Sequence, residues 1–333
     1  MFTRAAIPTF RAARTQFTRS VRGYASEAPK AEKKPSNIPF IFGGAGVAGL
    51  GVWAYLERSG KQPLAPAVPG LNGDAWTPLA LSEVEQISDN TKVYKFNFEG
   101  DNAANKTAGI TVAGVVLVRS PTGEGQVNDD KGKPVIRPYT PISSPDQRGS
   151  VDFLVKEYPT GKLTPWLSQL KKGDEILVKG PMTKFEYAPG QFDKALFVAG
   201  GSGVTPAYQL ISHALENKAD QTKWTFLFAN VTEKDILMRK EWEQLAAANP
   251  DRLKVVYFLD NAPENWTGES GYVTADHIKK HFPREEGDKV RAFVCGPPGQ
   301  YKAISGAKKG RDQGPVGGAL KELGYKEEEV FKY

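Results

Sequence analysis

Residues 196–206 decide the fold, because within one short stretch they change from apolar to glycine-rich to helical: Leu196-Phe197-Val198-Ala199-Gly200-Gly201-Ser202-Gly203-Val204-Thr205-Pro206. This order is typical of a strand, a glycine turn and a helix, with Thr205 predicted as the N-cap and Pro206 as the first helical residue. Glycines let backbone N–H groups approach a pyrophosphate, and a helix N-terminus favours its negative charge. The pattern differs from the usual dinucleotide fingerprint, and a tight structural turn explains it equally well.

Strands and helices alternate from this turn towards the C-terminus. Apolar runs that indicate strands buried on both faces lie at 195–199, 224–229, 253–259 and 290–295. Helical patterns lie between them at 206–217, 235–248 and 274–281. This alternation predicts a parallel, doubly wound α/β sheet in residues 191–333.

The ends of these strands carry the candidate binding residues, because ligands of open α/β sheets bind outside the carboxyl ends of strands. Asp260 ends the third strand, whereas Asn230 stands at the end of the second, where an acid is usual. The last strand runs into Cys295-Gly296-Pro297-Pro298-Gly299. We expect these residues and the glycine turn to line one rim. By itself, Cys295 is better explained as a small buried residue than as a low-pKa nucleophile, since no base lies close in sequence.

Residues 76–190 have the pattern of an all-β domain. Short alternating or β-branched segments, separated by Gly, Pro, Asp and Asn, lie at 79–88, 91–98, 112–119, 150–156 and 174–179. A short helix is predicted at 163–170. About six such strands favour a small antiparallel barrel, joined to the α/β domain through a hinge at 188–192.

One polar cluster interrupts this β-domain, in the sequence Arg137-Pro138-Tyr139-Thr140-Pro141-Ile142-Ser143. An arginine can form a bidentate contact with a pyrophosphate, and the tyrosine and threonine can meet a planar ring by stacking and hydrogen bonding. A proline-stiffened β-turn accounts for the same residues, so the pattern leaves both interpretations open.

The N-terminal 75 residues are predicted to direct and anchor the protein. Residues 1–37 hold eight Lys/Arg and two acids, which is typical of a mitochondrial presequence, with cleavage expected after Tyr24. Residues 38–56 are uncharged and long enough for a membrane span, and a Pro-rich linker follows at 57–75. The alternatives are a disordered basic tail and a buried soluble helix.

Composition excludes several classes of function. The net charge of +6 comes from the leader, because residues 38–333 hold 36 basic and 36 acidic residues, so a nucleic-acid footprint is not indicated. The single cysteine excludes an internal disulfide, a Cys-ligated iron–sulfur cluster and a Cys-rich zinc site. His277 and His281 lie four residues apart on a predicted helix, but with no carboxylate or thiolate ligands nearby we predict no metal site.

Motifs in a fixed order resemble the ferredoxin–NADP reductase superfamily. They read Arg137-Pro-Tyr-Thr-x-x-Ser143, Val155-Lys156-x-Tyr158, Gly161-Lys162-Leu163-Thr164, Gly201-x-Gly203-Val-Thr205-Pro206 and Cys295-Gly-Pro-Pro298. Two further stretches, at 229–237 and 257–266, are similar to the NADH–cytochrome b5 reductases. The resemblance covers about residues 77–333, and the presequence with one anchor suggests the fungal mitochondrial form.

The resemblance implies an FAD-binding barrel followed by an NADH-binding lobe. The residues implied for FAD are Arg137, Tyr139, Thr140, Ser143, Val155, Lys156, Tyr158, Gly161, Lys162, Leu163 and Thr164. The residues implied for NADH are Gly201, Gly203, Thr205, Pro206, Asp260, Cys295, Gly296 and Pro297. Tyr139, Thr140 and Cys295 are implied to lie at the reacting rings and are the predicted catalytic residues, and Asp260 is implied to favour NADH over NADPH.

By the same resemblance, NADH passes a hydride to FAD, and single electrons then go to two ferric cytochrome b5 molecules. The alternatives are the same scaffold reducing a quinone or another small redox protein, and a catalytically silent tethering module. The outer mitochondrial membrane is the expected location, with an intermembrane-space form as the alternative. Two departures stand out: Val112-Ala113-Gly114-Val115 replaces a Gly-Gln-His of vertebrate members, and Gly299 replaces a proline or methionine.

Overall fold

The computed structural model describes residues 66–310 and 312–333. The predicted presequence, the predicted anchor at 38–56 and residues 57–65 of the predicted linker lie outside the described residues. Within the described ranges, no helix is both long and apolar enough to cross a membrane.

The barrel lobe, residues 66–190, is built on six antiparallel strands. They are β2 (Thr77–Ser88), β3 (Thr91–Asn97), β5 (Gly114–Arg119), β6 (Arg137–Tyr139), β7 (Ser150–Lys156) and β8 (Glu175–Thr183), after the short β1 (Val68–Pro69) and with the short β4 (Lys106–Thr107) between β3 and β5. Their order in the sheet is β6-β5-β8-β2-β3-β7. The five predicted antiparallel strands are confirmed, whereas β6 was not predicted. The predicted helix at 163–170 is shorter, α1 (Leu163–Leu167).

The two edge strands of this sheet are brought together just after β6. The N–H of Ile142 donates to the carbonyl oxygen of Asp152 in β7 at 3.0 Å. The N–H of Asp152 in turn donates to Oγ of Ser143 at 3.1 Å. These two bonds join the chain that leaves one edge to the strand at the other edge, so the sheet closes into the predicted barrel.

The α/β lobe, residues 191–333, is built on one parallel sheet. Its strands are β9 (Lys194–Gly200), β10 (Lys223–Asn230), β11 (Leu253–Leu259), β12 (Glu269–Ser270), β13 (Val290–Cys295) and β14 (Val330–Lys332). They lie in the order β12-β11-β10-β9-β13-β14, and every pair is parallel. The predicted parallel α/β sheet is confirmed, while the two short edge strands β12 and β14 were not predicted.

Helices cover both faces of this sheet. They are α2 (Val204–Glu216), α3 (Arg239–Ala248), α4 (Ala275–His281), α5 (Pro298–Ile304) and α6 (Gly318–Glu322). Alternate residues of β9 show the arrangement: Phe197 packs with residues of α2 and α3, and Leu196 and Val198 pack with residues of α4, α5 and α6. A strand that is buried on both faces needs apolar residues at successive positions, which is why 195–199 is an unbroken apolar run.

Two predicted helix starts are wrong. Helix α2 begins at Val204 after a 3₁₀ turn over Gly201–Gly203, so Thr205 and Pro206 lie inside its first turn instead of capping it. The helix predicted from 235 is interrupted, because a 3₁₀ turn over Glu233–Asp235 ends before Met238, whose φ is 56°. Helix α3 therefore begins at Arg239.

The two lobes share one hydrophobic core. Ala113 and Leu154 of the barrel lobe belong to the same buried cluster as Phe293 of β13. At the end of the connection predicted as a hinge, Phe192 is buried in this cluster, and its carbonyl oxygen accepts a hydrogen bond from Thr222 Oγ1 at 2.9 Å. The barrel and the sheet are therefore packed as one unit.

Candidate functional site

A cavity of about 1280 Å³ lies between the two lobes and contains nearly all the residues predicted for the cofactors. It brings together Arg137, Tyr139, Thr140, Val155, Lys156, Tyr158, Gly161, Lys162, Leu163, Thr164, Gly201, Gly203, Thr205, Pro206, Asp260, Cys295, Gly296 and Pro297. Ser143 does not line the cavity, because its hydroxyl accepts the N–H of Asp152 and closes the barrel. These residues come from sequence positions about 160 residues apart, so the fold alone assembles them.

The barrel wall of the cavity is formed by the end of β6. Arg137 is exposed, and one of its guanidinium nitrogens, Nη1, donates to the carbonyl oxygen of Ile136 at 2.9 Å. Tyr139 meets Phe153 edge to face, with 6.1 Å between ring centroids. Burial raises the pKa of Tyr139 and outweighs the opposite effect of Arg137, so its phenol is neutral at physiological pH. Thr140 is buried beside it.

A tight turn forms the next part of this wall. The N–H of Gly161 donates to the carbonyl oxygen of Tyr158 at 2.8 Å, and the N–H of Tyr158 donates to Oγ1 of Thr164 at 3.0 Å. A Cβ on Gly161 would stand 3.0 Å from the carbonyl oxygen of Tyr158, so glycine suits this turn. Lys162 is paired with Asp130 across the surface.

Two predicted flavin residues contact the opposite lobe. Nζ of Lys156 lies 3.2 Å from Oδ1 of Asp235, and both side chains are partly buried. The hydroxyl groups of Tyr158 and Ser202 are hydrogen-bonded at 3.0 Å. Burial alone would raise the pKa of Asp235, but hydrogen bonds from Thr232 and Lys156 outweigh it and lower the pKa. The carboxylate is therefore ionised and bridges the lobes.

The glycine turn forms the rim of the α/β lobe. Gly201 has a φ of 53°, a conformation that glycine adopts without strain. A Cβ on Gly203 would overlap the carbonyl oxygen of Cys295, and a Cβ on Gly200 would overlap Oε1 of Gln300. Gly203 therefore lets the turn that follows β9 lie directly against the end of β13, beneath the cavity. Oγ1 of Thr205 donates to the carbonyl oxygen of Ser202 at 3.3 Å, which closes the turn.

Cys295 and Asp260 stand at opposite ends of this rim. Burial raises the pKa of the Cys295 thiol to about 12, so the thiol is neutral and contributes a small uncharged wall. The prediction that Cys295 is not a low-pKa nucleophile agrees with this raised pKa. Asp260 follows β11 at the mouth of the cavity, and the wall displaces enough water to raise the pKa of its carboxyl group.

Several cavity residues were missed by sequence reasoning. Within the part of the chain that the structure describes, the side-chain amide of Asn230 and Nε2 of Gln300 have no hydrogen-bond partner. Tyr272 projects from the cavity wall with 76% of its surface exposed. Lys308 donates from Nζ to the carbonyl oxygen of Lys332 at 3.0 Å, and its pKa is lowered by burial and by the neighbouring Lys184. Asn230 carried a signal, since it occupies the end of a buried strand; the others are single polar residues in loops and short helices.

Comparison with known proteins gives two family models and many relatives. The model described as an oxidoreductase FAD-binding domain matches residues 78–187, and the oxidoreductase NAD-binding domain matches residues 197–305. A protein of Mycosarcoma maydis named NADH-cytochrome b5 reductase 2 is 42% identical over 94% of this chain and 93% of its own length. The protein of that name from Aspergillus terreus is 40% identical over 98% of each chain.

Solved structures agree with these matches. The cytochrome b5 reductase domain of Ulva prolifera nitrate reductase superposes with a TM-score of 0.67 and 29% identity, over 80% of this chain and all of that one. The CS-b5R domains of human Ncb5or superpose with a TM-score of 0.62 and 23% identity, over 78% and 69% of the two chains, which is a likeness of fold.

Proposed function

The chain belongs to the NADH–cytochrome b5 reductases, and on that basis we propose that it is anchored to a membrane and delivers single electrons to two cytochrome b5 molecules for each NADH oxidised. The observation that carries the proposal is the cavity, in which the Arg137–Thr140 edge of the barrel faces the glycine turn and Cys295. Its cofactors are FAD and NADH. Bound FAD supplies the chemistry that connects a two-electron donor to a one-electron acceptor.

The barrel wall fits a flavin dinucleotide. The exposed guanidinium group of Arg137 is available to an anionic pyrophosphate, and the Gly161 turn offers a close backbone approach. The neutral ring of Tyr139 presents a flat surface that can pack against a planar heterocycle. We assign these residues, with Thr140, Val155, Lys156, Tyr158 and the residues 162–164, to binding and orienting FAD.

The rim of the α/β lobe fits a second dinucleotide. Backbone N–H groups of the Gly201–Gly203 turn and the first turn of α2 favour a pyrophosphate. The carboxyl group of Asp260 can accept hydrogen bonds from a ribose 2′-hydroxyl and repels a 2′-phosphate, which favours NADH over NADPH. Gly296 and Pro297 join Cys295 in an uncharged wall that excludes water from the nicotinamide end.

Proton handling in the cavity falls to a hydroxyl group. No histidine lines the cavity of the described chain, and hydride transfer itself needs no general base. Tyr139 and Cys295 have raised pKa values and keep their protons. We assign to Oγ1 of Thr140, which lines the cavity beside Tyr139 and can both donate and accept a hydrogen bond, the relay of the proton that is exchanged when the flavin is reoxidised.

The membrane part of the proposal rests on the N-terminal sequence. The acid-poor leader and the uncharged residues 38–56 support import into the mitochondrion and a single span in its outer membrane. Protease protection of the tagged chain on intact mitochondria tests this location. Digestion of the catalytic part from the cytosolic side is expected, and digestion only after rupture of the outer membrane would favour the intermembrane-space form.

The activity is tested with the full chain in detergent, loaded with FAD and kept free of oxygen. Titration with NADH is expected to bleach the flavin spectrum at far lower concentration than titration with NADPH. Turnover with ferric cytochrome b5 should consume two haem proteins per NADH. Failure to take up FAD, or a spectrum unchanged by either nucleotide, would overturn the proposal. Faster turnover with a quinone than with cytochrome b5 would identify the quinone as the electron acceptor.

A further inference from the structure

The amide of Asn230 is buried at the cavity without any hydrogen-bond partner. Asn230 is the last residue of β10 and is 6% exposed. Among the residues that the structure describes, neither its Nδ2 nor its Oδ1 has a partner, yet the residue lines the cavity. Buried polar groups in folded proteins are almost always paired. An amide left with both a donor and an acceptor free is therefore suited to a ligand that supplies both.

The strand order fixes where this amide lies. Asn230 pairs in register with Leu259, so Asp260 follows on one side of it, and its carbonyl oxygen accepts the N–H of Asp260 at 3.0 Å. On the other side, Ala229 pairs with Gly200, the residue before the glycine turn. The amide of Asn230 thus stands between a carboxylate suited to a ribose hydroxyl and a turn suited to a pyrophosphate.

Chemistry at this position favours an amide over an acid. A ligand segment that runs from a ribose to a pyrophosphate offers hydroxyl donors and phosphate acceptors close enough together for one side-chain amide to contact both. A carboxylate at Asn230 would repel the phosphates, whereas an amide satisfies both kinds of group. Of the two strands beside β10, β11 is the one followed by an acid, Asp260. It lies one strand further from the glycine turn than β10 does.

We propose that Asn230 binds the ribose–pyrophosphate segment of NADH, with Nδ2 donating to a pyrophosphate oxygen and Oδ1 accepting from a ribose hydroxyl. The assignment rests on the proposed function of the site. It adds to that site a residue that recognises the dinucleotide through its pyrophosphate. Because the amide makes no hydrogen bond in the free protein, its removal weakens binding without removing a bond from the fold.

The test is calorimetric titration of the FAD-loaded full chain in detergent with two nicotinamide-free probes, ADP-ribose and adenosine. Asn230→Ala is expected to raise the Kd of ADP-ribose about tenfold, as for the loss of one or two hydrogen bonds. Asn230→Asp should raise it further, because the new charge faces the phosphates. The Kd of adenosine, which keeps a ribose hydroxyl but lacks the pyrophosphate, should rise only about threefold, as for the loss of one hydrogen bond. FAD content should stay at the wild-type level, and the melting temperature should stay equal or rise.

Asn249→Ala is the matched control, because that amide donates to the carbonyl oxygen of Leu245 at 3.0 Å and lies outside the cavity. It should lower the melting temperature and leave both Kd values unchanged. An unchanged Kd of ADP-ribose in Asn230→Ala would overturn the assignment, as would an equal loss of adenosine binding or a loss of FAD. A wild-type protein that binds no ADP-ribose would instead refute the nucleotide site itself, and the assignment with it.

Discussion

At the scale of single residues, two glycines of the cavity differ in what surrounds them. A Cβ on Gly203 would overlap the carbonyl oxygen of Cys295, which is backbone and cannot move aside. We expect Gly203→Ala to lower the free energy of unfolding by about 3 kcal/mol, because the turn between β9 and α2 must move away from the end of β13. Urea denaturation of the variant and the parent measures the difference.

Gly299 provides the control for this substitution. It also lines the cavity, but among the described residues, apart from its chain neighbours and the backbone of its own helix, no heavy atom lies within 4 Å of where its Cβ would be. Gly299→Ala lies in the first turn of α5, where alanine fits the backbone, and it should leave the free energy of unfolding unchanged or raise it by up to about 1 kcal/mol. Equal effects of the two alanines would show that the close approach of this turn to the end of β13 is not what requires glycine at 203.

Asp260 gives a prediction about nucleotide choice. Replacing its carboxylate by a neutral amide, Asp260→Asn, removes the repulsion of a 2′-phosphate while keeping an acceptor for a 2′-hydroxyl. We expect the ratio of kcat/KM for NADH to that for NADPH to fall about tenfold, mostly through KM for NADPH. Steady-state rates with ferricyanide as acceptor measure this ratio for the parent and the variant. An unchanged ratio would mean that residues other than Asp260 discriminate between NADH and NADPH.

The sequence identified residues whose type carries their chemistry. The glycine turn, Asp260 and the Arg137–Thr140 edge all reach the cavity as predicted. Ser143 was predicted to bind FAD, but it lies outside the cavity and its hydroxyl accepts the N–H of Asp152. Thr205 lines the cavity, but it does not cap the helix as predicted, and its hydroxyl donates to the carbonyl oxygen of Ser202. A short hydroxyl side chain satisfies a nearby backbone group as readily as a ligand, and sequence alone does not distinguish the two.

At the scale of elements, the bridge between Lys156 of β7 and Asp235 joins the lobes beside the cavity. A double-mutant cycle with Lys156→Met and Asp235→Asn should give a coupling energy of about 1–2 kcal/mol in the free energy of unfolding, because both groups are partly buried. The exposed pair Arg239–Glu243 on α3 is the control, and its coupling should stay below about 0.5 kcal/mol. A coupling no larger than the control would mean that the bridge does not hold the lobes.

Strand positions were easier to predict than helix starts. The four long strands of the α/β lobe are apolar on both faces, so their runs stand out in the sequence, whereas the two-residue β12 and the three-residue β14 are too short to show a pattern. Helix starts failed where a 3₁₀ turn intervened. At Met238 a left-handed φ separates the 3₁₀ turn from α3, and no glycine or proline announces it.

At the scale of the whole molecule, we expect the free energy of unfolding to fall as the pH becomes acidic. Burial tends to raise the pKa of Asp220 and Asp235, but hydrogen bonds from Tyr187, Thr232 and their neighbours outweigh it and lower both values. Bonds from Lys280 and His281 lower the pKa of Glu269. A carboxyl group with a lowered pKa in the folded state stabilises the fold above its unfolded value, 3.8 for Asp and 4.5 for Glu, and this contribution is lost as the pH falls through the folded value.

We therefore expect the melting temperature to decline steadily as the pH is lowered from about 5 towards 2. Asp235→Asn should reduce the slope of that decline, since one of the shifted groups is gone. Calorimetry across this pH range measures both slopes. A variant slope as steep as that of the parent would exclude Asp235 as a contributor.

The arrangement of the lobes was beyond sequence reasoning. The sequence predicts a boundary near residues 188–192, but it does not show that Phe192, at the end of that segment, is buried in the common core. Contacts such as Leu154 with the cluster around Phe293 join residues far apart in the chain, and no local pattern encodes them. Local periodicity determines elements, whereas the packing of one lobe on the other depends on side-chain shapes that only the assembled fold brings together.

That shared core bears on how such a chain can be recombined. Ala113 and Leu154 enter a cluster built mostly from the other lobe, and the bond from Thr222 to the carbonyl oxygen of Phe192 holds the connection in place. A chimera that joins this α/β half to a foreign barrel would bring two unmatched apolar surfaces together and leave voids where these side chains had packed. The useful cassette for protein engineering is therefore the pair of lobes, transferred intact with its own connecting segment.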